Sequence, residues 1–157
     1  MAVQLSDKEI ASLVSERKDL PSDYQQRIQT KARRGHKESE LDVVGAMGSE
    51  SRLILRQSSV NNFDFSAILA YRVPKSNVLF RLRRYNGKHG EHTNTIEGET
   101  FYDYHIHMAT ERYQESGLRE DTYAEPTNRY ADFTGAVKCL IEDCKFVLPK
   151  GDQSSLF

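Results

Sequence analysis

Two histidines one residue apart, His105 and His107, are the side chains of this 157-residue chain best suited to acid–base chemistry. The run 101–109 is rich in aromatic and branched residues and predicts a β-strand, in which successive side chains point to opposite faces. Asp103 and both histidines then share one face. The other face would be apolar and predicts contact with the core: Tyr102, Tyr104, Ile106 and Met108. Because histidine titrates near neutral pH, the pair could serve as general base and general acid.

Arginines in the preceding predicted strand could place fixed positive charge beside the two imidazoles. In the run 77–85, Arg81 and Arg83 alternate with apolar side chains, namely Val78, Phe80 and Leu82. If both strands turn their apolar sets toward one core, the guanidiniums and imidazoles share the opposite face. Other basic side chains extend this patch as candidate nucleic-acid contacts: Arg56, Arg72, Arg84, Lys88 and His89.

Such a face could cleave RNA without a metal or another cofactor. The ribose 2′-hydroxyl is the nucleophile in this chemistry, so two groups that titrate near neutrality and one fixed cation can suffice. His105 and His107 would transfer the protons, and Arg81 or Arg83 would stabilise the charge that builds on the phosphate oxygens. We therefore predict an RNA-directed protein of toxin-like ribonuclease type, with these four residues as its catalytic set.

Three other functions fit the same residues. The two histidines could bind a metal together with Asp103 and with His89 or His92 from the preceding hairpin. The face could also hold a phosphate backbone or a protein partner without any reaction, as in an antitoxin-like or phage-related regulator. Finally, the arginines could form ordinary surface ion pairs with the acidic stretch 111–125. The sequence leaves these alternatives open.

Charge is unevenly distributed along the chain, although the net charge is only −1. Residues 27–37 and 72–88 contain basic but no acidic side chains, whereas 97–125 is predominantly acidic. Two basic stretches and one acidic stretch can either neutralise each other in the fold or form separate surface patches. The glycine-rich phosphate loop, the GxSxG and GxGxxG patterns and the HExxH zinc motif do not occur, which disfavours the common nucleotide-hydrolase and hydrolase classes.

The spacing of apolar and turn residues predicts an α+β fold. Ser6 and Glu9 form a capping-box pattern before a helix over 7–17, and a second helix is predicted over 23–34. A C-terminal helix over 128–144 would pack its apolar stripe on one sheet face. Branched and aromatic runs predict an antiparallel sheet of four or five strands, over 52–57, 63–73, 77–85, 88–95 and 101–109.

Length and composition predict a single cytoplasmic domain over residues 1–149, with 150–157 as a short flexible tail. No apolar run approaches the roughly 20 residues of a membrane span, and the polar amino-terminal segment differs from a signal peptide. We therefore expect no membrane partner. Cys139 and Cys144 lack the CxxC spacing of redox and zinc motifs, so both are expected to be reduced thiols.

Four segments resemble the signature of an uncharacterised bacterial protein family. They are FRLRRYNGKH (80–89), HTN (92–94), FYDYHIHMATERYQ (101–114) and YAEPTNRY (123–130). The similarity extends over most of the chain, from about Leu20 to Phe146. It implies a bacterial, cytoplasmic origin, marks the HIH and RYNG segments as family hallmarks, and implies no particular activity.

Overall fold

An antiparallel sheet of seven strands dominates the computed structural model, which describes residues 3–88 and 90–149. The predicted tail 150–157 and the candidate contact His89 lie outside the described residues. Helices and strands follow one another along the described chain in this order: α1 (Asp7–Ser15), β1 (Lys18–Asp19), α2 (Tyr24–Arg27), β2 (Gln29–Arg33), β3 (His36–Val44), β4 (Glu50–Ser58), β5 (Phe65–Arg72), β6 (Leu79–Asn86), β7 (His92–Asn94), β8 (Glu99–Phe101), β9 (His105–Met108), α3 (Glu111–Glu115), β10 (Ala124–Pro126), α4 (Phe133–Asp143) and β11 (Phe146–Val147).

The large sheet has the strand order β10-β9-β6-β5-β4-β3-β2, and its neighbouring strands are antiparallel throughout. β7 and β8 form a separate hairpin, and β1 pairs with β11 in parallel. The α+β class, the antiparallel sheet and the C-terminal helix on one sheet face are confirmed. The expectation of four or five strands is too low for the large sheet, because β2, β3 and β10 lie outside the five predicted runs. The predicted strand over 88–95 is not part of this sheet, since β7 pairs only with β8 among the described residues.

The predicted second helix over 23–34 is wrong. α2 ends at Arg27, and residues 29–33 form β2, which pairs with β3 as the outer arm of a hairpin. Gly35, at the position expected to end that helix, instead turns the hairpin with a φ of 83°. Asp23 makes no side-chain cap hydrogen bond at the start of α2. A short uncapped helix is marginal by itself, so pairing with β3 decides the conformation of this segment.

One face of the sheet packs against α1 and α4 and forms the core. The apolar stripe predicted for the C-terminal helix is confirmed, although α4 begins at Phe133, with Asp132 as its N-cap. The core side chains of the central strands alternate with side chains of the opposite face: Leu53, Leu55, Ala67, Leu69, Tyr85 and Ile106. Cys139 and Cys144 are buried free thiols. No helix in the described ranges is long and apolar enough to cross a membrane.

A β-bulge in β6 changes which arginines share a face. The register between β5 and β6 shifts, so that Leu82 becomes an extra residue in β6. Beyond it, Arg83 and Tyr85 lie on the face that the helices cover, and the Nη1 of Arg83 is 3.4 Å from the Oη of Tyr85. Arg81 and Arg84 lie on the opposite face. The predicted alternation of arginines therefore does not place Arg83 with the histidines.

Candidate functional site

Three histidines meet on the sheet face opposite the helices. His105 and His107 lie on β9, and His92 lies on β7 in the β7–β8 hairpin. One ring nitrogen of each lies within 4.8 Å of one ring nitrogen of the other two. The ring centroids are 5.3 Å apart for His92 and His105, 4.8 Å for His92 and His107, and 4.9 Å for His105 and His107. We call these three residues the histidine cluster.

β9 presents two of these histidines together because it is a regular strand between β6 and β10. Ile106, between them, belongs to the core on the other face, as the predicted alternation requires. Asp103 precedes the strand, its side chain is exposed, and it lines a different hollow of the surface. The carboxylate of Asp103 therefore does not join the histidine cluster. The sequence suggests Asp103 as a ligand of a possible metal site, and the structure does not place it there.

Backbone carbonyls determine which nitrogen of His105 and of His107 carries the proton. The Nδ1 of His105 lies 2.9 Å from the carbonyl oxygen of Asp103, and the Nδ1 of His107 lies 2.8 Å from that of Asp121. A carbonyl oxygen can only accept a hydrogen bond, so each Nδ1 is the donor. In the neutral ring the lone pair is then on Nε2. Metal-binding histidines usually have this arrangement, in which the second nitrogen donates to a carbonyl or carboxylate.

A side-chain amide determines the proton position of His92 in the same way. Asn94 is 1% exposed, and its Nδ2 donates to the carbonyl of Ala124 at 2.7 Å while its Oδ1 accepts from the Ala124 amide at 2.9 Å. These two bonds establish which end of the amide is the oxygen. The Nε2 of His92 lies 2.9 Å from that oxygen and must donate to it. The lone pair of neutral His92 is therefore on Nδ1.

The surroundings of His107 hold its imidazole in the neutral form. Burial lowers the pKa of His107, and the positive charge of Arg84 and the neighbouring His105 and His92 lower it further, to about 2. The hydrogen bond to the Asp121 carbonyl acts in the opposite direction and is weaker. Neutral imidazole is the form that binds a metal, because protonation removes the lone pair.

The spacing of the histidine cluster fits a single metal ion. Imidazoles bound to one zinc ion at the usual Zn–N distance of about 2.0 to 2.1 Å and at tetrahedral angles have ring centroids about 5 Å apart. The observed centroid distances of 4.8, 4.9 and 5.3 Å agree with this value. The ligating nitrogens of such a site lie about 3.3 Å apart. The ring nitrogens lie within 4.8 Å of one another in the structure, so binding of an ion would draw them closer together.

A pocket of about 600 Å³ opens onto the histidine cluster. All three histidines line it, although His105 and His107 are only 8% and 4% exposed. The small part of His105 and His107 that solvent can reach therefore faces this pocket. Charged groups of both signs line the remaining wall together with His36: Arg34, Arg56, Asp64, Arg84, Glu91, Arg119 and Asp121.

Arg84 lies on the floor of this pocket, beside His107 in the sheet register. Its Nε donates to the Oδ2 of Asp121 at 3.1 Å, and Asp121 is itself only 1% exposed. Asp121 thus contacts two groups of the site, because its backbone carbonyl accepts from His107 and its carboxylate accepts from Arg84. The loop 116–123 thereby connects the histidine cluster to the guanidinium of β6.

The remaining residues singled out from the sequence lie in different places. Arg56 lines the pocket with Arg84. Arg81 shares their face, but it is not part of the pocket wall, and its backbone amide donates to the Oε2 of Glu120 at 3.0 Å. Arg72 pairs with Asp42 at 3.8 Å and lines a separate hollow. The Nζ of Lys88 sits 5.0 Å from the ring centroid of Tyr104, a cation–π contact.

Sequence reasoning misses many of the residues that line the pocket, among them Arg34, His36, Arg119 and Asp121. Arg34 and His36 are missed because the segment before them is predicted to be helical, whereas the β2–β3 hairpin carries them to the pocket. The segment 29–33, QTKAR, has no apolar alternation that would have indicated a strand. Arg119 and Asp121 come from an irregular loop, for which the sequence offers no periodicity.

Comparisons of the chain with protein-family models, curated proteins and solved structures gave no match. The function of the chain is therefore inferred from the geometry of the histidine cluster and of the pocket around it.

Proposed function

We propose that His92, His105 and His107 bind one divalent metal ion and that zinc is the ion they fit best. The observation that carries this proposal is the convergence of three imidazoles whose other ring nitrogens donate to fixed oxygen acceptors. In that arrangement each neutral ring keeps one nitrogen lone pair that could bind an ion. A histidine that only packs in a protein interior would not need two further imidazoles beside it.

The ligand set indicates an ion with an open coordination position. Structural zinc sites have four protein ligands, whereas catalytic sites have three and leave a position for water or substrate. The described residues offer three imidazoles at this point, and they line an accessible pocket. An ion bound there would supply Lewis acidity toward an oxygen of a ligand in the pocket. The carboxylate of Glu91, next to His92 in sequence, lines the same pocket and could accept a proton.

Titration of zinc into chelator-treated protein tests this proposal. We expect one ion per chain and a rise in thermal stability, since a ligand that binds only the folded state at about 100 times its Kd adds about 2.7 kcal/mol. Magnesium prefers oxygen ligands and is the control ion, which should neither bind nor stabilise. Failure of zinc to bind at one equivalent would contradict the proposal.

Asn94 should act as a positioning residue for His92. Replacing it with alanine removes the acceptor that orients the His92 ring and leaves the Ala124 amide and carbonyl without their partner. Loss of such an outer contact typically weakens metal binding by about 10- to 100-fold. The variant should also lose about 2 kcal/mol of unfolding free energy. Zinc titration and urea unfolding measure the two effects.

Thr93→Ala is the matched control for Asn94→Ala. Thr93 lies on the same strand, is exposed, and hydrogen-bonds only across the hairpin to Thr100 among the described residues. It should retain the zinc affinity of the wild-type protein. Equal affinities for the Asn94 and Thr93 variants would show that Asn94 does not orient a ligand.

Metal-independent cleavage of RNA is the alternative proposal. The observation that favours it is that His105 and His107 line one pocket with the guanidiniums of Arg56 and Arg84. The low pKa of His107 makes this imidazole a poor proton donor at neutral pH, so we place this proposal second. RNA cleavage that persists in EDTA and is lost in His105→Ala would support it. RNA or protein binding that survives both His105→Ala and His107→Ala would support a non-enzymatic interaction module.

A further inference from the structure

The pocket around the histidine cluster is lined by several arginines, and binding of a metal ion does not explain why they are there. Four guanidiniums line it, those of Arg34, Arg56, Arg84 and Arg119. Three carboxylates also line it, and that of Asp121 is buried against Arg84. The proposed ion would add two further positive charges, since all three of its ligands are neutral imidazoles.

Arg84 lies close to two other arginines, Arg119 in the pocket wall and Arg81 outside it. Burial lowers the pKa of Arg84, Asp121 raises it, and the positive charges of Arg81 and Arg119 lower it again. These like charges therefore lie close enough to repel. Together with a divalent ion they would repel more strongly, and an anion bound between them would relieve that repulsion. Guanidinium groups suit phosphate in particular, because their planar fork can donate two parallel hydrogen bonds.

An exposed aromatic side chain lies at the same pocket. Phe63 is 51% exposed and lines the pocket next to Phe65. An aromatic ring left exposed beside arginines is typical of surfaces on which a nucleobase stacks. Neutral hydrogen-bonding groups line the wall as well, among them Ser66, Asn86 and Thr122, which could contact sugar hydroxyls.

We infer that this pocket binds a small aromatic phosphate ester of nucleotide size, with its phosphate at Arg84 and Arg119 and its ring on Phe63. The volume of about 600 Å³ suits such a ligand, since pockets for small molecules measure about 300 to 1,000 Å³. The inference deepens the proposed function and rests on it, because the phosphate would lie beside the ion held by the histidine cluster.

Binding of inorganic phosphate and of adenosine monophosphate to zinc-loaded protein tests the inference. Arg119→Gln should weaken the binding of both by about 10-fold, because a charged hydrogen-bond donor is lost. Phe63→Ala should weaken only the nucleotide, again by about 10-fold, through loss of stacking. Arg17→Gln is the matched control, since Arg17 is exposed and pairs with Asp19 away from the pocket. It should change neither affinity.

Zinc content is measured in the same samples, so that the two proposals fail separately. A protein that holds one zinc ion but binds neither probe overturns the inference and leaves the metal site intact. Nucleotide binding that depends on Arg119 and Phe63 in a protein that takes up no zinc supports the anion pocket and contradicts the metal site. A single-stranded RNA that binds where the mononucleotide does not would also overturn the inference.

Discussion

His107→Gln should bind zinc at least about 100-fold more weakly than the wild-type protein, since losing a ligand costs more than losing an outer contact. The glutamine amide can still donate to the Asp121 carbonyl that accepts from His107. It offers no imidazole nitrogen to an ion. The folded state should therefore persist while the rise in thermal stability on adding zinc disappears. Calorimetric titration with a competing chelator measures the affinity.

His36→Gln provides the matched control for this substitution. His36 lines the same pocket but does not belong to the histidine cluster. The same change of side chain there should leave the zinc affinity and the one-to-one stoichiometry unaltered. If His36→Gln and His107→Gln weakened zinc binding equally, the ion would be bound elsewhere in the pocket.

Lys18→Met should lower the free energy of unfolding by about 3 kcal/mol, because an unsatisfied buried polar group costs about 1 to 3 kcal/mol and the substitution leaves buried carbonyls without their donor. Lys18 is 1% exposed, and its three N–H donors are shared among four backbone carbonyl oxygens that lie 2.7 to 3.1 Å from Nζ, those of Leu13, Val14, Glu16 and Cys144. These carbonyls lie at the carboxyl ends of α1 and α4. Such groups lack helical partners and carry the negative end of the helix dipole.

Denaturant unfolding of Lys18→Met and Lys138→Met compares a buried with an exposed lysine. Lys138 lies on α4 and is exposed, so its substitution should change stability by less than about 0.5 kcal/mol. Methionine at position 18 fills a similar volume but leaves four carbonyl acceptors without a donor. A loss below about 1 kcal/mol would mean that water or a backbone shift satisfies those carbonyls.

Local signals in the sequence predict the elements that short-range physics controls. Ser6 and Glu9 form the predicted capping box of α1, and the apolar stripe of α4 is buried as its spacing requires. The alternation around Ile106 places His105 and His107 on one face. In each case the decisive contacts lie within a few residues of chain or follow directly from the two-residue period of a strand.

Long-range pairing controls the features that the sequence does not predict. β2 is a strand because β3 is available to pair with it, although the start signals before it favour a helix. The bulge at Leu82 reverses the parity of the following residues. The sequence does contain a sign of this bulge. The core residues Phe80 and Leu82 are two positions apart, whereas Leu82 and Tyr85 are three positions apart. Read in this way, that spacing would have indicated Arg84 rather than Arg83 as the neighbour of His107.

X-ray absorption at the zinc edge is the decisive experiment for the zinc site, because it reports the atoms bound to the ion. The geometry of the histidine cluster predicts three imidazole nitrogens at about 2.0 to 2.1 Å. In His107→Gln loaded at excess zinc, the imidazole contribution should fall. A shell made of sulfur or of oxygen alone, or a spectrum that the His107 substitution leaves unchanged, would contradict a zinc site built from His92, His105 and His107.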